Sequence, residues 1–194
     1  MFTGLAGVYV AELSEKTDNP TYSNGFQLGE GMAVTIAPQY AEGSVYGDNH
    51  RVKYKKKFKN ANITLGTTRI PKQAEPVMFG KTEDSGGEVV SNQRDDGKYV
   101  GFGCYATEEG GPGEDTKYSA VWIYKVKFAD PGDDFETEGE NITFKTPSLT
   151  GSAEPLKNGD WKVKKQFDAE EEAINWIKTK AGIVTGNSGG VGEE

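Results

Sequence analysis

Tyr118-Ser119-Ala120-Val121-Trp122-Ile123-Tyr124-Lys125-Val126-Lys127-Phe128 decides the fold class of this chain. Its even positions read Tyr, Ala, Trp, Tyr, Val, Phe, while its odd positions pass from Ser119, Val121 and Ile123 to Lys125 and Lys127. A period of two belongs to a β-strand, whose successive side chains leave opposite faces of the backbone. At about 3.3 Å per residue the stretch spans roughly 36 Å, a length that suits the wall of a barrel or a tall sheet. Trp122 is expected in the core, on one face with Ala120, Tyr124 and Val126.

Working outward, residues 5–13, 32–37, 60–67, 99–106, 142–151 and 161–167 are also rich in β-branched and aromatic residues and bounded by Gly, Pro, Asn and Asp. Glycine-rich turn sequences separate 99–106 from 118–128, so these two are expected to pair as a long hairpin. Helix is expected twice. Residues 70–80 read as a short, proline-interrupted helix ended by Gly80. Residues 168–180 read as a longer one, with Asp168 as cap, Glu170 to Glu172 at its positive end, and Lys178 and Lys180 at its negative end. Ala173, Ile174, Trp176 and Ile177 form its apolar stripe. The fold class is therefore mainly β, a sandwich or barrel with one C-terminal helix and one short internal helix. A single domain is expected over 1–182, followed by a flexible glycine-rich tail over 183–194.

Thirty Asp and Glu against 22 Lys and Arg give a net charge of −8, which argues against a partner gripped through phosphates. With one cysteine there is no intramolecular disulfide and no multi-cysteine zinc site. The opening residues lack the basic start and apolar run of a signal peptide, and no stretch approaches the roughly 20 apolar residues of a membrane span, so synthesis in the cytoplasm is expected.

The candidate chemistry is sparse. Cys104 falls in phase with Val100, Phe102 and Ala106, which reads as a core cysteine rather than a nucleophile. His50 follows Asp48-Asn49 in a loop, and no Gly-x-Ser-x-Gly elbow exists to complete a triad with it. The acidic stretch 130–140 invites a calcium reading but carries Phe135 where an EF-hand loop needs its turn glycine. Gly29-Glu30-Gly31 and Gly101-Phe102-Gly103 lack the rest of a phosphate loop. Of the three tryptophans only Trp161 reads as an exposed platform on which a sugar ring would stack. No catalytic, cofactor or metal residues are expected. The strongest local signal is Arg51-Val52-Lys53-Tyr54-Lys55-Lys56-Lys57-Phe58-Lys59, whose odd positions are all basic. It reads as a solvated edge strand, a nucleic-acid contact, or a contact with an acidic surface of another copy.

The run from Tyr118 to Pro131, then Phe135-Glu136-Thr137-Glu138-Gly139 and Phe144-Lys145-Thr146-Pro147-Ser148-Leu149-Thr150-Gly151, resembles the major tail protein family of siphophages that infect Gram-positive bacteria. The opening Gly4-Leu5-Ala6-Gly7-Val8-Tyr9, the Ser44-Val45-Tyr46-Gly47-Asp48-Asn49 turn and a Trp161 strand before a Trp176 helix fall in that family's order. Pro76 and the long acidic loop over 107–117 depart from it. The resemblance implies a structural virion protein that forms hexameric rings stacked into a tail tube, through whose lumen DNA leaves the capsid without specific binding. Its implied partners are other copies of itself, the tape-measure protein, and the tail terminator and distal tail proteins. The rival readings are a carbohydrate-binding sandwich and the tube protein of a contractile tail or secretion system. Within an acidic tube, Lys53, Lys55, Lys57 and Lys59 are expected to face Asp133, Asp134, Glu136 and Glu138 of a neighbouring subunit.

Overall fold

The alternating stretches become ten strands in the computed structural model, which describes residues 1–15, 20–111, 113, 115–137 and 145–183. In chain order they are β1 (Phe2–Ser14), β2 (Thr21–Gln27), β3 (Gly31–Gly47), β4 (His50–Thr67), β5 (Thr82–Glu83), β6 (Val89–Val90), β7 (Val100–Glu108), β8 (Lys117–Phe128), β9 (Ser148–Ala153) and β10 (Lys162–Phe167). A π-helical turn spans Glu75–Phe79, and the helix α1 (Glu170–Lys180) closes the described chain. The protein is mainly β, built on one large antiparallel sheet with two helices, as its sequence alternation implies.

The main sheet runs β2-β1-β7-β8-β9-β4-β3, and β8 belongs to two partners at once along one edge. Its first half, Tyr118 to Ile123, pairs with β10, and its end, Val126 to Phe128, pairs with β9. The strand whose sequence fixed the fold class is thus the hinge between the two halves of the sheet. Its other edge forms the expected hairpin with β7.

The two outermost strands, β2 and β3, are consecutive in sequence and joined by only Leu28-Gly29-Glu30. Three residues reach about 10 Å, so the seven-strand path must curl until its edges meet. The junction is stapled. Leu28 donates its N–H to Val8 O (2.9 Å), the Thr68 N–H donates to Glu30 O (3.0 Å), and the fully buried Thr67 hydroxyl donates to Leu28 O (2.7 Å). Gly4 and Gly7, at φ of 60° and 59°, sit in breaks of the β1–β7 ladder, where bulges increase strand twist and help the wall to curve.

Curling gives the sheet two buried faces. The inner one gathers Val8, Val10, Ile63, Leu65, Phe102, Ile123, Val126 and Leu149, and the π-helical turn caps it with Val77, Met78 and Phe79. The outer face of β1, β7 and β8 buries Tyr9, Ala11, Tyr105, Ala120 and Trp122 beneath Ala173 and Ile177 of α1. Trp122 fits because Gly103 has no side chain: a Cβ there would lie 2.5 Å from the indole Cε3. Tyr105 locks the helix from below by donating its hydroxyl to Glu170 (2.6 Å).

Several expectations need correction. Trp122 does not share a face with Val126, because a bulge opposite Gly101, between the Phe102–Ile123 and Val100–Val126 pairs, inserts a residue into β8 and turns Val126 to the inner core. Asp168 does not cap α1. It pairs with Lys117, and Ala169 stands at the cap position without a side-chain bond. The internal helix is one π-helical turn around Pro76, ended by Gly80 at φ 74°. Strand β2 has a loop-like sequence, Thr-Tyr-Ser-Asn-Gly, and becomes a strand through its ladder to β1. The strand expected over 142–151 begins at Ser148 and runs to Ala153: 145–147 are not strand, and 141–144 lie outside the described residues. Of the tail, Ile183 alone is described, and it packs against the α1 cluster.

Candidate assembly surface

The stretches 32–37, 51–59 and 60–67, read separately from sequence, are parts of one hairpin. Its turn, Gly47-Asp48-Asn49-His50, has Asp48 and Asn49 at φ of 45° and 59°, the left-handed pair that a two-residue hairpin turn requires and that Asp and Asn tolerate. β9 pairs with β4 only from Ala61 to Gly66. Beyond that point β3 and β4 have only each other, for about ten residues or roughly 30 Å. The result is a two-stranded arm that projects from the curled sheet with both backbone edges unpaired.

The root of the arm is held by rings. Phe58 stacks on Trp161 at 4.6 Å and 15°, and Tyr40 meets Phe58 edge-on at 6.0 Å. Trp161 is therefore a half-buried support for the arm and not an open platform for a sugar. Further out, cross-strand partners share a face, which sorts the arm into two unlike sides. One carries Tyr40, Glu42 and Ser44 against Phe58, Lys56 and Tyr54. It is tied together locally: Lys56 pairs with Glu42 at 2.9 Å and lies over the Tyr40 ring at 4.2 Å. That hydrogen-bonded pairing holds the Glu42 carboxyl below its ordinary range and raises Lys56, as expected of a solvent-screened pair.

The opposite side is bare. Lys53, Lys55 and Lys57 stand against Val45, Gly43 and Ala41, and a Cβ added at Gly43 would touch nothing within 4 Å. Lys59 is the extra residue of a bulge between the Gln39–Asn60 and Tyr40–Phe58 pairs. Among the described residues none of these four lysines has an ion pair. Alternate residues of a strand lie about 6.6 Å apart, so neighbouring ammonium groups on this strip repel by up to about 0.6 kcal/mol in water. An acidic surface laid on the strip would reverse that sign.

The arm also exposes apolar surface: Val45, Tyr46 and Val52 are 61%, 69% and 61% accessible. Isolated two-stranded ribbons are marginal in water, so roughly 30 Å of ribbon with this composition would gain stability from any surface that covered it.

Within one chain the described part of the acidic run forms no ion pair with the basic strip. Asp133, Asp134 and Glu136 lie on an exposed segment after β8, and Lys145 pairs with Asp134 (3.6 Å) and Glu136 (3.1 Å). Glu138 lies outside the described residues. Sequence reasoning missed Phe135, which is 89% exposed in the middle of this run. The available signal was an aromatic residue with no apolar neighbour at strand or helix spacing.

The remaining candidates are inert. Cys104 is buried in the inner core, and desolvation pushes its thiol up to about 12. His50 is exposed in the arm's turn, with Nδ1 3.2 Å from Asp48 O. Among the described residues no three His, Cys, Asp or Glu side chains converge on a point where a metal would bind, and no helix is long and apolar enough to cross a membrane. Compared with known proteins, the chain matches no protein-family model and none of the curated proteins.

Proposed function

We propose that this chain is a structural, non-catalytic subunit that associates with copies of itself into stacked rings forming a phage tail tube, a virion conduit for DNA. The observation that carries the reading is the arm. It is roughly 30 Å long, it leaves both backbone edges unpaired among the described residues, and it presents a lysine strip that has no ion pair among them. A neighbouring copy supplies what is missing, because each copy carries an excess of carboxylates, 30 Asp and Glu against 22 Lys and Arg. The same charge suits a lumen that lets phosphates slide past, whereas a basic wall would hold them. In this reading the tape-measure protein occupies the tube before ejection, and the terminator and distal tail proteins close its two ends.

Negative-stain electron microscopy of the purified full-length chain tests the proposal. Tubes or stacked rings of uniform width are expected at high protein concentration and low salt. A protein that stays monomeric across concentration and salt, by light scattering as well as by microscopy, refutes it.

A further inference from the structure

We propose that the acidic loop bearing Phe135 on one copy docks in an open seam in the curled sheet of another copy, a contact that joins subunits end to end. The proposal rests on the self-assembly reading and names one of its contacts. The seam lies where β1 and β3 face each other without a ladder between them. There the inner core shows through: Leu5, Val34, Ile36 and Val121 are only partly buried and line a groove of about 440 Å³. Lys162 and Lys164 of β10 form its rim, and among the described residues neither has an ion pair. Both lie over rings instead, Lys162 at 4.6 Å from Trp161 and Lys164 at 4.6 Å from the exposed Phe2. Glu108 accepts hydrogen bonds from Ser119 and Gln166 and attracts Lys164 without forming an ion pair with it, and Glu109 accepts from Thr3.

The loop is the complement of this groove. Phe135 stands 89% exposed, next to Asp133, which has no ion pair among the described residues, and to Asp134 and Glu136, which share the half-exposed Lys145, so an aromatic ring would enter the apolar floor while Asp133 and the outer faces of the two shared carboxylates meet the two lysines. The loop cannot reach the groove of its own chain. The groove's rim reaches Lys162, which is paired with Ile123, and the seven residues from Ile123 through the end of β8 at Phe128 to Asp130 span roughly 23 Å. The five residues from Asp130 to Phe135 reach at most about 18 Å. Asp130 is itself held by Lys81 at 2.7 Å. Loop and groove therefore sit at opposite ends of β8. A contact between unlike patches at opposite ends repeats from copy to copy and builds a stack rather than a closed pair.

The test places the photo-crosslinking residue p-benzoylphenylalanine at position 135 of the full-length chain, mixes isotopically light and heavy copies, irradiates, and maps the linked peptides. Mixed-isotope crosslinks to residues 2–5, 34–36 or 162–164 are expected. Crosslinks within one chain, or between chains to the arm or to any other site, overturn the proposal. Tubes that form without any crosslink from position 135 overturn it while leaving the tube reading intact, and a wild-type chain that never associates overturns both. A second arm uses Phe135→Ala, which spoils only the loop, and Lys162→Glu with Lys164→Glu, which spoils only the groove. Each alone is expected to lose end-to-end association with an unchanged circular dichroism spectrum, and their mixture to recover one intact contact per pair. That gives a 1:1 complex about tenfold tighter than either variant with itself. Wild-type assembly by either variant alone overturns the proposal.

Discussion

Reversing the arm's basic strip, with Lys53, Lys55 and Lys57 all changed to Glu, separates folding from assembly. The three side chains share one face with Val45, Gly43 and Ala41 and have no ion pair among the described residues, so their replacement removes no charge contact there. The strip's self-repulsion is also unchanged in size, since three like charges replace three like charges. The thermal midpoint of the subunit is therefore expected to move by no more than the small shift typical of surface changes, within about 0.5 kcal/mol. Assembly responds differently. Each exposed pair across an interface contributes about 0.2–1 kcal/mol, so three lost pairs weaken one arm contact by about 0.6–3 kcal/mol, before any new repulsion is counted. At 1.4 kcal/mol per factor of ten, one contact weakens by about 3-fold to more than 100-fold, and every subunit of a ring repeats the loss. Sedimentation velocity against protein concentration measures the shift, with circular dichroism as the folding control. Raising salt from 0.1 M to 1 M, which shortens the screening length from about 10 Å to about 3 Å, should weaken wild-type assembly in the same sense. Wild-type association by the triple variant at every salt concentration would refute the role given to the strip. A variant that fails to fold would refute the claim that the strip is free within the chain.

Three further outcomes follow from the fold. Thr67→Val leaves Leu28 O without its hydroxyl donor at the point where the sheet edges meet, and should cost about 1–3 kcal/mol in urea denaturation, with Thr67→Ser recovering most of it. Asp130 has its carboxyl lowered from 3.8, chiefly by the hydrogen bond from Lys81. A depressed folded-state pKa adds stability above the unfolded value that is lost as pH falls through the folded one, so Asp130→Asn should flatten thermal midpoint against pH below about 4. Cys104, with its thiol raised to about 12 by burial, should resist iodoacetamide in the folded protein at pH 8 and react promptly in denaturant; prompt reaction of the native protein would place it outside the core.

The alternation in 118–128 determined a β-strand and, with its companions, a mainly β domain, because side-chain period is a local property of the backbone. The acidic first turn and basic last turn of α1 were legible for the same reason, since charge acts on the dipole of its own helix. Burial of Cys104 followed from its phase with Phe102. The arm was legible only in pieces, 51–59 as an edge strand and 44–49 as a turn, and not as one long hairpin. Its lysines and Gly43 interrupt the apolar pattern, and its strand character comes from pairing with residues up to 21 positions away. Nor could sequence show that β8 changes faces, since one inserted residue reverses the sidedness of all that follow and only the partner strand reveals it. The curl of the sheet, the seam it leaves between β1 and β3, and the separation of Phe135 from the lysines of β10 by the length of β8 were decided by tertiary structure alone. Each depends on which strand edges meet, and an edge carries its hydrogen-bonding groups whatever the side chains are.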